Sequence, residues 1–156
     1  MDPQKRGRNT PKEFRGDRQL ISGNYIQCGQ GYTYFQYSCY KYGAASVPFD
    51  KAREICQKEG GDLACVTTAE ENTFVGNLAR GKRSWIGGVR SKPDAVTTTF
   101  QWISREPWEF TSWRKREPNN WGGREHCIET NFVRLAWWND HFCHKEKPYV
   151  CEIPAL

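Results

Sequence analysis

Apolar and aromatic positions change their spacing several times along the chain, and each change suggests an element. Over residues 24–47, Tyr32, Tyr34, Phe35, Tyr37, Tyr40 and Tyr42 dominate a stretch poor in helix formers, which predicts a strand pair. From Pro48 the spacing turns helical. Phe49, Ala52, Ile55, Cys56 and Glu59 recur on one face, Pro48 suits a first turn, and Gly60-Gly61 would stop a helix near Glu59. Gly61-Asp62-Leu63-Ala64-Cys65-Val66 then reads as a short strand. Thr68-Ala69-Glu70-Glu71 has capping-box spacing, opening a second helix through Phe74, Val75 and Leu78 to Gly81.

Ser84-Trp85-Ile86-Gly87-Gly88-Val89 predicts a core strand ending at a turn. The pattern is then lost over 90–136, a stretch full of Pro, Gly, Asn and Trp. A loop of that length belongs in a compact domain only when it is functional and tied down, here by Cys127 and a bound ion. Residues 133–138 and 147–153 read as closing strands. Residues 1–22 carry almost no large apolar side chains and read as a flexible basic tail, leaving 23–156 as one domain.

Composition narrows the class. The chain has 156 residues, and 37% are hydrophobic, many of them aromatic, which suits short strands and Trp-pinned loops better than a helical bundle. The seven Cys at 28, 39, 56, 65, 127, 143 and 151 contain no CxxC pair, which argues against a zinc ribbon or a thioredoxin-type site. Their number points to disulfides in an oxidising compartment, with fifteen pairings open to six of them and one thiol left over. Free Cys is among the most buried residue types, so Cys65 is expected as a buried, inert thiol.

Net charge is +5, with six Lys/Arg against three Asp/Glu in the tail. The remainder is nearly balanced and shows no basic stripe interleaved with stacking aromatics, so nucleic acid is not an expected partner. No apolar run is long enough to span a bilayer. Met1-Asp2-Pro3-Gln4-Lys5-Arg6 is not the start of a signal peptide, so a secreted protein would be represented here by its mature form. No N-glycosylation sequon occurs. Arg15-Gly16-Asp17 could engage an integrin if displayed, but in an Arg-rich tail it reads as a chance tripeptide.

Two polar clusters carry candidate chemistry: Glu117-Pro118-Asn119-Asn120 with Glu125, and Asn139-Asp140 directly after Trp137-Trp138. Together they offer three carboxylates and several amide oxygens, the hard donors calcium takes six to eight at a time. Either cluster alone would equally suit a solvated turn. Glu117 and Glu125 could instead form a glycosidase pair. A general acid needs a raised pKa, whereas a calcium ligand must stay ionised, so one pair would not do both. His141 and His144 have zinc-like spacing around Cys143 but read as surface histidines.

In this order the motifs resemble those of the C-type lectin-like domain in its long form with an N-terminal hairpin. The likeness spans roughly 25–153. It rests on Cys28 and Cys39, Cys56, Trp85-Ile86-Gly87-Gly88, Glu117-Pro118-Asn119, Cys127, Trp138-Asn139-Asp140, Cys143 and Cys151. Phe100-Gln101-Trp102 and Gly123-Arg124-Glu125-His126-Cys127 look most like soluble vertebrate members, fish lectins in particular. The resemblance implies an α+β fold of two helices and small antiparallel sheets around a long calcium-binding loop. It implies disulfides Cys28–Cys39, Cys56–Cys151 and Cys127–Cys143.

It also implies a secreted, non-enzymatic, calcium-dependent lectin, with partners among glycans of glycoproteins or microbial surfaces, as in innate immunity. Glu117, Asn119, Glu125, Asn139 and Asp140 match the family's principal calcium ligands, and Pro118 would be cis. Vicinal sugar hydroxyls would complete the coordination, with Glu-Pro-Asn going with mannose, N-acetylglucosamine, glucose and fucose. Trp121 hints at galactose through stacking, against the alternative of a loop-packing residue. His126 stands where many members place an acid of a second calcium site, and the loop after Gly88 offers only Asp94, so one ion is expected. Shallow single sites need multivalency, which implies a homo-oligomer. The alternative within the same fold is a non-sugar role, in protein recognition or ice binding.

Overall fold

The computed structural model describes residues 20–21, 25–26, 28–92 and 99–155. Arg15-Gly16-Asp17, Asp94 and all but two residues of the 1–22 tail lie outside them. Elements run in the order β1 (Leu20–Ile21), β2 (Tyr25–Ile26), β3 (Thr33–Phe35), β4 (Ser38–Val47), α1 (Phe49–Lys58), β5 (Asp62–Leu63) and α2 (Ala69–Leu78). Then come β6 (Ser84–Arg90), β7 (Phe100–Trp102), β8 (Cys127–Thr130), β9 (Asn139–His141) and β10 (Lys147–Pro154). β1 and β2 pair with each other, and the remaining strands join into one sheet along β3-β4-β10-β6-β8-β9, with β5 against β10 and β7 against β6. The expected small antiparallel sheets are therefore merged. The merger runs through one parallel pair, β6 with β10, where Tyr149 faces Trp85.

The helices follow their local codes, with one difference. Thr68 Oγ accepts from Glu71 N at 3.1 Å, which is half of a capping box. The other half goes elsewhere: the Glu71 carboxylate accepts from Thr67 N at 2.7 Å and from the Tyr40 hydroxyl. Glu71 is thus fully buried as a tie between α2 and β4. The second helix also stops earlier than Gly81, at Leu78, and Arg80 already has φ 57°.

The strand expected over 133–138 does not form. Residues 133–138 form a turn in which Val133 and Ala136 both have positive φ, with Asn131 Oδ1 accepting from Ala136 N at 2.8 Å. β-Branched and aromatic content imitated a strand, while the Asn131 side chain dictated a turn. The strand proper is β9, beginning at Asn139. The reading over 61–66 shortens to β5, and Ala64 continues it with single hydrogen bonds to Val150 and Gly87.

The core has two clusters. Tyr40, Val66, Val75, Ile86, Trp102 and Trp138 anchor one, and Phe49, Ala52, Leu63, Trp85 and Tyr149 the other. Disulfides Cys28–Cys39, Cys56–Cys151 and Cys127–Cys143 are present as expected. The bridge across 95 residues removes the most unfolded-state freedom, on the order of 4–5 kcal/mol in a chain-entropy account. Cys65 forms no disulfide and is buried, and burial pushes its thiol pKa well up.

The long segment after β6 is pinned by aromatic rings rather than by a ladder. Trp108 lies 4.7 Å from Trp102 and 5.9 Å from Trp138, ring centre to ring centre, and Trp113 lies 5.8 Å from Trp138. Trp113 and Trp138 also form an isolated bridge. This box holds both ends of the polar cluster, since Trp113 leads into Glu117 and Trp138 into Asn139. β10 points away from that region. It starts at Lys147, whose ammonium reaches Glu129 at 3.3 Å, and ends with Pro154 opposite Ser38.

A calcium-type site built from an acidic turn

The Glu117–Pro118 peptide is cis, and the chain then turns sharply through Asn119, Asn120 and a short 3-10 turn at Trp121–Gly123. Asn120 is in the left-handed region at φ 47°, which Asn tolerates better than most residues. Its side chain closes the turn by accepting from Glu125 N at 3.0 Å. The first three amides of this turn donate to acids or amide side chains of the cluster. Asn119 N reaches Glu117 Oε2 at 3.1 Å and Asp140 Oδ1 at 3.2 Å. Asn120 N reaches Asp140 Oδ2 at 2.8 Å, and Trp121 N reaches Glu125 Oε1 at 2.8 Å and Asn119 Oδ1 at 3.2 Å.

Four of the five expected ligand residues, Glu117, Asn119, Glu125 and Asn139, line one open depression of about 390 Å³, and Trp121 stands at it with them. Asp140 is fully buried and does not line it; its carboxylate lies beneath, bonded to the turn. Asn139 Nδ2 donates to Glu129 Oε2 at 2.9 Å. An ionised carboxylate only accepts, so Glu129 fixes the amide flip and leaves Asn139 Oδ1 as the atom for a cation. Burial pushes Glu129 up, but Arg83, Lys147 and Asn139 outweigh it and hold its carboxyl below the ordinary value.

Glu117 and Glu125 go the other way. Burial, then the Asp140 carboxylate, raises Glu117 to about 7. Burial raises Glu125 to about 7, with Trp121 N–H opposing and Asp140 adding to the rise. Burial and the neighbouring Asp140 charge thus disfavour ionisation of Glu117 and Glu125, and a divalent cation would relieve this. The donors are hard oxygens throughout, which suits calcium rather than zinc. Among the described residues no three of His, Cys, Asp and Glu alone approach closely enough to hold a metal, so the Asn amides are needed to complete the set. The zinc alternative has no support: Cys143 is in a disulfide, and His141 Nδ1 already accepts from Phe142 N at 2.8 Å.

Two contributors are not picked out by the sequence: Glu129, and Arg90 at the end of β6, whose side chain is 1% exposed. Its Nη2 donates to Asp140 Oδ2 at 2.9 Å and to the Glu125 carbonyl at 3.1 Å, and its guanidinium lies 4.6 Å over the Phe100 ring. A charge in a strand otherwise buried on both sides is the one signal that could have flagged it. Trp121 is 69% exposed and meets Phe142 edge-on at 6.0 Å, so it is not a packing residue of the loop.

Residues 45–153 match the family described as the Lectin C-type domain. The chain belongs to that family. It is 33% identical over 147 residues to a protein named "Lectin" from Pleurodeles waltl, covering 89% of this chain and 84% of that one. It is 27% identical over 129 residues to the galactose-specific lectin nattectin of Thalassophryne nattereri, covering 80% and 79%. Among solved structures it is similar to the cow C-type carbohydrate-recognition domain of CD23, determined in the presence of a GlcNAc2Man3 oligosaccharide. That likeness has a TM-score of 0.75 and 30% identity, and covers 83% of this chain and 98% of that one. The family is one of non-enzymatic carbohydrate-binding proteins, so the glycosidase reading of Glu117 and Glu125 falls away. No helix among the described residues is long and apolar enough to cross a membrane.

Proposed function

We propose that this C-type lectin domain binds sugar through one calcium ion held by Glu117, Asn119, Glu125, Asn139 and Asp140. The observation that carries this is the depression in which two carboxylates are pushed to about 7 while Asn139 is locked with its oxygen free. The ion supplies coordination positions for two vicinal sugar hydroxyls. The carboxylates then accept from those hydroxyls and the amides donate to them, and no bond is broken. A single ion is favoured because Arg90 already supplies the cation between Asp140 and the Glu125 carbonyl.

Glu117-Pro118-Asn119 favours mannose-type sugars with equatorial hydroxyls, and the exposed Trp121 indole offers a platform for the apolar face of galactose. The secreted setting, the basic tail as a separate segment and self-association belong to this reading too. The test is retention on mannose and galactose resins in calcium, followed by chelator. Release by chelator is the expected result; retention that ignores chelator would exclude the mechanism and favour calcium-free binding, and no retention in calcium would favour a non-sugar role.

Acid gives a second test. In the calcium-free protein the folded-state pKa of Glu117 and Glu125 is raised from 4.5 to about 7. Their contribution to stability is therefore present below 4.5 and lost as pH rises through 7. Calcium must displace those protons, so its affinity falls as pH drops through the same window. The calcium-induced rise in Tm is expected to be larger at about pH 7.5 than at about pH 5.5; an equal rise at both would contradict the crowded-carboxylate account.

For Trp121→Ala, loss of the ring should weaken galactose by about 1 kcal/mol, or about fivefold, with mannose little changed. Calorimetry with the two monosaccharides measures it. Equal losses for both sugars would mean the indole contributes to the ion site rather than to the sugar face.

A further inference from the structure

The depression that would hold the ion is bordered by cations, although the sequence scatters them. Arg83 and Lys145 line it together with Glu117, Glu125 and Phe132. Phe132 lies between two guanidiniums, Arg83 at 4.9 Å and Arg114 at 5.5 Å from the ring centre. Beneath, the buried Glu129 carboxylate is shared by Arg83 and by Lys147 at 3.3 Å. One buried acid thus answers two cations, and Lys147 is half of that demand.

Lys145 has no carboxylate partner among the described residues, and its charge reaches both Lys147 and His141. Arg83 uses Nε and one N–H of Nη2 on Glu129, and a guanidinium has five N–H donors in all. The acids that might balance this rim are committed. Glu117 and Glu125 would face the ion, and Asp140 is held by Arg90 at 2.9 Å. With calcium in place the surroundings of the sugar are therefore positive, although the domain as a whole is nearly balanced.

From this geometry we infer that the preferred ligand is an acidic sugar, one whose carboxylate or sulfate lies against Lys145 and Arg83 while its vicinal hydroxyls reach the calcium site. This rests on the calcium-dependent sugar reading above and specifies its ligand class. A neutral hexose would leave Lys145 and the spare Arg83 donors facing water. An anionic substituent one bond beyond the ring would meet both, in a setting where Arg offers a planar fork and Lys a point charge.

The experiment is calorimetric titration of the whole chain, in calcium, with a hexose, its uronic acid and its sulfate ester on the same ring. The acidic sugars are expected to bind roughly fivefold more tightly, the effect of about one exposed ion pair, and the margin should shrink at high salt. The uronate and sulfate arms distinguish the two sources of negative charge. Lys145→Ala should bring the acidic sugars most of the way back to the affinity of the parent hexose, with Arg83 holding the remainder.

Equal affinities for all three sugars would overturn the inference and leave the calcium-dependent reading standing. A margin undiminished by Lys145→Ala would also overturn it, as would acidic-sugar binding that persists in chelator, since the charge would then be read away from the ion. Failure of every sugar to bind in calcium would overturn both this inference and the reading on which it rests.

Discussion

Arg90→Met is expected to lower the unfolding free energy by roughly 3–5 kcal/mol, the effect of leaving one member of a buried ion pair alone. Asp140 is fully buried, and Arg90 is the cation that faces it. Methionine fills similar volume, so the loss would report charge and hydrogen bonds rather than a cavity. The Glu125 carbonyl would lose its two guanidinium contacts, at 3.1 and 3.4 Å, and the Phe100 ring its cation. Urea denaturation in chelator measures this without interference from the ion. Arg90→Met combined with Asp140→Asn should recover part of the loss, because the stranded charge is gone. A loss below about 1 kcal/mol for the single variant would mean that water replaces the guanidinium freely.

The second large effect concerns the ion. Glu117→Gln keeps the shape of the side chain and its acceptor for Asn119 N, but removes one charge from the calcium set. Altering an outer partner of a metal site costs about ten- to a hundredfold in affinity. Replacing a carboxylate that faces the ion should cost at least about a hundredfold. Extracellular calcium modules bind at about 0.1–1 mM, so sugar retention would vanish at ordinary calcium concentrations. Calcium titration followed by tryptophan fluorescence is a readout, since Trp121 lines the same depression and its backbone N–H is bonded to Glu125. Undiminished calcium affinity in Glu117→Gln would remove Glu117 from the set. The same variant should be more stable than the parent in chelator above pH 7, because it relieves the crowding that raises Glu117 and Glu125.

How far the sequence could be read depended on what set each feature. Where local chemistry decided, the reading succeeded. Thr68 capped α2, Gly60 and Gly61 followed the end of α1, and the apolar run at Trp85 and Ile86 became a buried strand. Where one particular side-chain partner decided, near or far, it failed. Asn131 turned 133–138 out of a strand, and Tyr40 with Thr67 N took the Glu71 carboxylate away from the helix cap.

The candidate site divides in the same way. Its acids and amides stand in two short clusters and were visible as donors. Arg90 and Glu129 come from strands that the fold sets beneath the depression, and apart from the lone charge ending an apolar strand at Arg90 nothing in their neighbours announces a cation or a lock. The cationic rim is the extreme case, because Arg83, Arg114 and Lys145 are far apart in the chain and adjacent only around Phe132 and the depression.

The direction of β10 has a practical consequence. Its first residue, Lys147, is bonded under the proposed sugar face, and Pro154 pairs with Ser38 seven residues later. At about 3.3 Å per residue that is roughly 23 Å of separation, close to the width of a small domain. A linker or affinity tag fused beyond Pro154 would therefore emerge at the back. Molecules captured on a sensor surface by such a tag would all turn the proposed calcium face toward the flowing glycan. Copies joined there would present their sites side by side to a single glycan-coated surface, the arrangement in which weak contacts add up.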